Sequence, residues 1–484
     1  MSLQPRYTTQ PAYGGAKVLH RGTPDYEKCR CMNPTADTAA RYPREIHLAE
    51  TAADIGAALA RASELGTTVG IHSSGHIMNL GNLIHDGILI DTMNLNRRID
   101  YDQVTREFCF GPSCRVEELA QKLAEVQRFF PHGHAPNVRS GGFLRAGGQG
   151  WFVRGWGATS QTWIERLEVV VPDGRVLIAS GTENQNLFWA ARGSGLGFFG
   201  VVTRFWGRTI RASKMWERSF KFEIDDHRRH TPKYGTDLNI TIEYPEKYGP
   251  RYTTDDIPPG AKLHLNLNLQ CYTDTIIEAR TLMSAWDQIP DPVRECLLEM
   301  KPVQRRSFEE VFAGKRGFLG NHTQDKWQIN SIMNDPQCPL PRLLDAIKPA
   351  MLDLPTRTSS MFACFCDILP DEDDAAFSLP QDLYISTITG SVKNNSKPAL
   401  WDHMREHYKR TFPVAVGQYV TEIDVNNELA NMRVLSDTAL AKFLNIREQY
   451  EPKGLFPNYK AFVKTHEKIK ETRKSGKAMI GNGL

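Results

Sequence analysis

Five glycines fall within the ten residues from Gly141 to Gly150. A glycine inside a helix or strand costs roughly 0.5–1 kcal/mol relative to alanine, so such density works against regular structure. It is tolerable where a backbone must come close to a ligand. The surrounding stretch, from Phe129 through Gly133, His134, Ala135, Pro136 and Val138 to Gly150, therefore reads as a ligand-cradling loop.

A second small-residue loop lies earlier, in Val69 to Asn82, VGIHSSGHIMNLGN. Before it, Ala52 to Leu65 carries Ile55, Leu59 and Ala60 at helical spacing. Thr51 is placed to N-cap that helix, with Asp54 at the third position of a capping box. Gly66 stops the helix in the C′ position, where a left-handed conformation is cheap for glycine. Thr67 to Ile71 is short and β-branched, as a buried strand would be. The strand runs into Ser73, Ser74, Gly75 and His76. No bulky side chain blocks the backbone N–H groups there, so several can converge on an anion such as a diphosphate.

The 484 residues suffice for two or three domains. A net charge of +3 argues against nucleic acid or an anionic membrane as the main partner. No apolar run reaches the length of a membrane span. The first twenty residues lack a hydrophobic segment, so a cytoplasmic location is expected. Nine cysteines are scattered without zinc-ligand spacing and are expected to be reduced, packed thiols. His72, His76, His132 and His134 lack an acidic partner in sequence, and no metal site is expected.

Residues 1–40 are polar and rich in Pro and Gly and read as an arm or wrap-around segment. Short strands are expected at 41–49 and at Gly87 to Asp91, with a hairpin at 101–111 and a helix from Arg115 to Arg128. Trp163 to Ile178 reads as a hairpin closed by Pro172-Asp173-Gly174. Gly195-Leu196-Gly197-Phe198-Phe199-Gly200 satisfies G-x-G-x-x-G. A dinucleotide fingerprint must follow a strand and open a helix. Here a helical segment, Leu187 to Arg192, comes first and a β-branched strand, Val201 to Phe205, follows, so nicotinamide binding is rejected. From about Met215 strands dominate, at 221–224, 238–243, 262–271, 360–368, 383–389 and 417–424. Helical stretches lie between them, near 277–286, 339–350 and 398–410, and a last helix at 439–450. In Lys262 to Cys271 leucines occupy one face and His264, Asn266, Asn268 and Gln270 the other. That polar face either lines a pocket or faces solvent.

Three stretches, in this order, resemble the vanillyl-alcohol-oxidase superfamily of PCMH-type FAD-binding proteins, in its berberine-bridge-enzyme-like branch. His72-Ser73-Ser74-Gly75-His76 is similar to its R-S-G-G-H loop, whose last histidine bonds to the 8α carbon of FAD; His76 falls there. The glycine-rich loop is similar to its second FAD loop at Gly133, Pro136, Val138, Gly141, Gly142, Gly147, Gly148 and Gly150. The cysteine that makes a second flavin link in some members is Ala135 here, so at most one link is implied. Phe143 replaces a loop histidine. Asn186 to Thr203 resembles the third signature, which brings in Gly200, Val201 and Val202. Tyr450 to Asn458 is similar to the motif where the chain returns to the FAD domain, adding Asn458 to the cofactor contacts. The basic tail, 464–484, exceeds the pattern and reads as a surface helix with a frayed end.

The resemblance implies an α+β protein: an FAD-binding domain over 41–214, and a substrate domain over 215–425 whose antiparallel sheet is backed by helices. Residues 426–484 would return to the FAD domain. It implies an FAD-dependent oxidase that passes hydride from a small alcohol, amine or phenolic substrate to flavin N5, with O2 giving H2O2. The small residue at Gly133 favours oxidase over dehydrogenase. Tyr419, Glu422 and Tyr384, on strands able to face the pocket, are the candidate bases, each with a purely structural reading beside it. A flavin-dependent cyclase or isomerase and an idle flavin-binding protein are the alternatives. Substrate identity and oligomeric state stay open at this level.

Overall fold

The computed structural model describes residues 17–32, 41–77, 82–223, 236–249, 253–315, 326–392, 397–423, 433–464 and 467. The basic tail beyond 464 lies almost wholly outside them.

The helix Ala52–Glu64 forms as its pattern dictates. Ile55, Ala58, Leu59 and Ala62 are buried, and Thr51 and Asp54 close a reciprocal capping box. Gly66 follows with φ +59°, the left-handed stop. This helix packs on a four-stranded sheet in the order Lys17–His20, Glu45–Leu48, Ile88–Asp91, Val69–His72. The last three strands run parallel, and the first joins antiparallel. Of residues 1–40, read as an arm or wrap-around segment, the described part, 17–32, holds regular structure. Lys17–His20 pairs with Glu45–Leu48, and Pro24–Arg30 is a helix capped by Thr23. Their polar composition hid them, because an edge strand needs to bury little: only Leu19 of the four residues is buried.

A five-stranded antiparallel sheet follows, ordered Ile99–Tyr101, Phe108–Phe110, Val201–Gly207, Ile164–Val170, Val176–Ser180. The hairpin over 163–178 is present. So is the order helix (Gln185–Ala191), glycines, strand (Val201–Gly207) that excludes the dinucleotide fingerprint. The helix expected to reach Arg128 covers Val116–Glu125. Arg128–Phe129 turns into a strand paired with Ile210–Arg211.

The glycine-rich loop is not wholly irregular. Ser140–Arg145 is helical, through Gly141 and Gly142. Its first turn is held from outside: Gly141 N donates to Pro112 O at 2.9 Å and Ser140 Oγ to Gly111 O at 2.8 Å. Those bonds offset the entropy that glycine loses on ordering.

The remaining strands build a nine-stranded antiparallel sheet. Its order is Leu297–Met300, Lys214–Glu223, His264–Thr273, Thr236–Glu243, Ser360–Ile368, Gln381–Ser391, Lys326–Asn334, Ala415–Gly417, with Gln304–Arg306 also pairing to Lys214–Glu223. Helices Leu340–Leu352 and Lys397–Lys409 cover one face, burying Leu343, Ile347, Met404 and Tyr408 against Ile332 and Ile385. Lys326–Asn334, second from one edge of the sheet, escaped the sequence reading. The strand expected over 417–424 also fails: it ends at Gly417. Beyond it the side chain of Ser331 replaces the ladder, accepting from Tyr419 N (3.2 Å) and donating to Glu422 O (2.9 Å), while Glu422 N closes a turn on Tyr419 O. The C-terminal helix Asp437–Tyr450 comes back to the first half, where Phe443 and Tyr450 pack on Phe199. Leu455 O accepts from Val69 N at 2.7 Å, at the root of the 72–76 loop.

Candidate active site

A cavity of about 850 Å³ lies between the two loops and the large sheet, at the upper end of the range for small-molecule sites. One wall is Ile71 to Ile77, Gly133 to Ala135, Val138, Gly141, Gly142, Val201 and Val202; the other includes Asn268, Met361, Cys364, Tyr384, Ser386, Tyr419 and Glu422. Two loops distant in sequence thus share one surface with all three candidate bases.

The strand Val69–His72 delivers the first loop to the cavity. Gly75 takes φ +73°, which a side chain would resist. His76 Nδ1 lies 2.7 Å from Ser74 Oγ, while its Nε2 is buried without a partner. Burial pushes the His76 pKa down to about 4, so the imidazole is neutral with a lone pair available at pH 7. Ser73 Oγ is likewise buried and unpartnered. His72 sits behind the loop, its Nδ1 3.5 Å from Asp91 Oδ2. Asp91 also accepts from Cys29 Sγ (3.0 Å) and Met93 N (2.7 Å). Burial outweighs the nearby carboxylate and lowers the His72 pKa.

In the second loop His132 and His134 part company. His132 Nδ1 approaches Gly133 O at 3.1 Å, and burial lowers its pKa to about 4. His134 Nε2 meets the fully buried Asp237 at 3.0 Å. The expectation that the four histidines lack acidic partners is therefore corrected for two of them: Asp237 meets His134 and Asp91 meets His72, each from another strand, whereas His76 and His132 meet no carboxylate. Ala135 lines the cavity where a cysteine would have been needed for a second link. Pro136, Gly147, Gly148, Gly150, Gly200 and Asn458 lie off the cavity wall. Gly147 and Gly148, at φ +105° and +73°, pack their Cα atoms against Phe377 and Thr159, where a Cβ would collide. Asn458 sits in the single turn Pro457–Tyr459, which packs on Gly195–Gly197.

Opposite, Tyr384 and Tyr419 meet edge to face with ring centroids 5.8 Å apart. Tyr384 Oη is buried and has no partner. Backbone groups of Gly148 and Gln149 face the Tyr419 hydroxyl, but burial dominates and raises its pKa. Glu422 is partly buried, and one of its carboxylate oxygens is buried without a partner; desolvation lifts its pKa to about 8. Tyr384 lies on the strand Gln381–Ser391, whereas Tyr419 and Glu422 stand on the turn beyond Gly417. The polar face of His264–Thr273 divides. Asn268 lines the cavity, and Gln270 is spent inside the sheet on Glu217 Oε2 at 2.9 Å.

Sequence reasoning missed Lys315, Arg139 and Gln149. Lys315 reaches the cavity from the helix Phe308–Lys315, its Nζ 5.1 Å from the centre of the Trp151 ring, and burial lowers its pKa. No motif marks it. Arg139 and Gln149 stood within the quoted loop, and their polarity amid glycines was the available signal.

The residues fit a flavin dinucleotide. The unpartnered Ser73 hydroxyl and the Arg139 guanidinium offer a hydrogen bond and positive charge to a diphosphate, Gly142 leaves open space for a close approach, and His76 Nε2 is left free for the ring.

Residues 43–180 match the family of the FAD binding domain. The FAD-linked oxidoreductase nodO of Hypoxylon pulicicidum is 34% identical over 205 residues, 42% of this chain and 45% of that protein. The xylooligosaccharide oxidase of Thermothelomyces thermophilus is 33% identical over 182 residues, 37% of this chain and 36% of that one. The aligned stretch thus spans less than half the length of either relative. In fold, the BBE-like 1 protein of Physcomitrella patens superposes with a TM-score of 0.73 at 15% identity, covering 92% of this chain and 96% of that one. Residues 43–180, with their two glycine loops meeting at one cavity, are thus an FAD binding domain, and over 92% of its length the chain shares the fold of the BBE-like 1 structure.

Proposed function

We propose that this chain is an FAD-linked oxidase acting on a small organic alcohol, amine or phenolic substrate. Bound FAD supplies a hydride acceptor at N5 and, by reaction with O2, a route to H2O2. The names of the relatives support oxidoreductase chemistry, and one of them is a sugar oxidase.

His76 would hold the cofactor through a single bond from its neutral ring nitrogen to the 8α carbon, a methyl proton leaving and the flavin taking up two electrons that O2 would then remove; Ala135 offers no second link. Ser73, Ser74, Gly75, Gly141, Gly142 and Arg139 would cradle the dinucleotide. The observation that carries the catalytic reading is Glu422, a partly buried carboxylate with a free oxygen on the cavity wall and a pKa near 8. A base poised near working pH removes the O–H or N–H proton as hydride leaves the adjacent carbon. Tyr384 and Tyr419, which line the same cavity, would hold the substrate oxygen or nitrogen. Lys315 places a desolvated side-chain nitrogen on the wall, its pKa lowered by burial, able to hydrogen-bond the atom that has lost its proton.

The test is a spectrum of the purified protein before and after acid precipitation, followed by an oxygen-electrode screen of alcohols, amines and sugars. A yellow pellet that turns white in His76→Ala is expected, with oxygen consumption matched by peroxide. Protein without flavin absorbance after incubation with FAD overturns the reading. Turnover without oxygen uptake would replace the oxidase by an isomerase or cyclase.

A further inference from the structure

Three further side chains converge far from the cavity. His403 and His407 stand one turn apart on the helix Lys397–Lys409, and Asp353 caps the helix Leu340–Leu352. The two Nε2 atoms lie 3.2 Å apart. Asp353 Oδ2 is 3.4 Å from the first and 2.8 Å from the second. A fourth donor atom, the Asp353 carbonyl oxygen, is 3.2 Å from His403 Nε2.

These edges match one face of a coordination tetrahedron. With ligand bonds of about 2.0–2.2 Å, neighbouring donor atoms around a tetrahedral ion sit roughly 3.3 Å apart. Hydrogen bonding serves the arrangement less well, because two neutral imidazole nitrogens facing each other share at most one proton. A cation at the centre would use all three lone pairs at once. Two imidazoles and one carboxylate, with no thiolate and no cage of oxygens, suit zinc and similar borderline divalent ions. The side chains are 59% (Asp353), 34% (His403) and 15% (His407) exposed, so an ion can enter and keep a water in the fourth position.

We propose that Asp353, His403 and His407 form a zinc site that staples the two helices covering the large sheet. The site lies on the far face from the cavity. Tyr408 Oη, beside His407, donates to Thr387 Oγ1 at 2.9 Å. Thr387's strand neighbours Ser386 and Ile388 line the cavity, and successive strand residues point to opposite faces. The ion therefore does not touch the reacting groups. It cross-links positions fifty and more residues apart, and its binding free energy adds to folding.

The experiment uses untagged, flavin-loaded protein stripped with a chelator and titrated with Zn2+ by calorimetry, with thermal unfolding in parallel. One Zn2+ per chain and a raised Tm are expected. His403→Ala and, independently, Asp353→Asn should each weaken binding by at least the roughly 10- to 100-fold that even an outer-shell change costs. Cys29→Ala, in the other metal-capable cluster among the described residues, should leave the zinc affinity unchanged. Asp353 is the more exposed partner, so its variant guards against misfolding, and retained flavin absorbance reports an intact fold. Failure of the wild type to take up zinc, or equal affinity in wild type, His403→Ala and Asp353→Asn, overturns the proposal.

Discussion

At the scale of single residues, burial sets the chemistry of this cavity more than charge does. Glu422 has a pKa moved from 4.5 to about 8 by desolvation. Two consequences follow from the same shift. If Glu422 is the base, kcat/KM should rise with pH through a limb near 8, and Glu422→Gln should remove that limb with a large loss of rate; steady-state kinetics from pH 6 to 10 would measure it. Stability moves the other way. The folded protein holds this proton where the unfolded chain releases it, so the contribution is full below about 4.5 and lost as pH rises towards 8. Thermal unfolding of Glu422→Gln should therefore overtake wild type progressively across that window, and parallel curves would assign the pKa elsewhere.

Elements position these residues through local devices that can be tested singly. The helix before the first loop depends on Thr51 and Asp54, each satisfying a backbone donor of the other. Thr51→Ala should cost about 1 kcal/mol, read as a lower Tm with flavin content unchanged. The capping box, the Gly66 stop and the strand that follows were all legible, because each is decided within a few residues. The helix Ser140–Arg145 was not, since its support comes from Gly111 and Pro112. Nor was the turn carrying Tyr419 and Glu422, where Ser331, nearly ninety residues away, takes the backbone bonds that a longer last strand would have used.

Over the whole molecule, the C-terminal helix ties the end of the chain to the beginning of the site. Phe443 is fully buried against Phe199, and Leu455 bonds to the strand that leads to His76. Phe443→Ala should cost about 3–5 kcal/mol and loosen the 72–76 loop. Limited proteolysis should then cut the C-terminal segment first, and flavin content should fall; a uniformly destabilised protein with full flavin would argue against this coupling.

The sequence by itself determined the two loops, the order of elements around the third glycine stretch, and the alternation of Leu263 to Leu269 that seats His264–Thr273 in a sheet. These are local matters of glycine freedom, capping and period. Only the tertiary structure decided which charges meet. Asp91 reaches His72, Asp237 reaches His134, and Asp353 reaches His403 and His407, each across a gap in sequence that no spacing rule spans. It also decided that Tyr384, Tyr419, Glu422 and Lys315 face one cavity. A side chain's burial, and hence its proton affinity, depends on everything packed around it, and that is fixed only when distant strands come together.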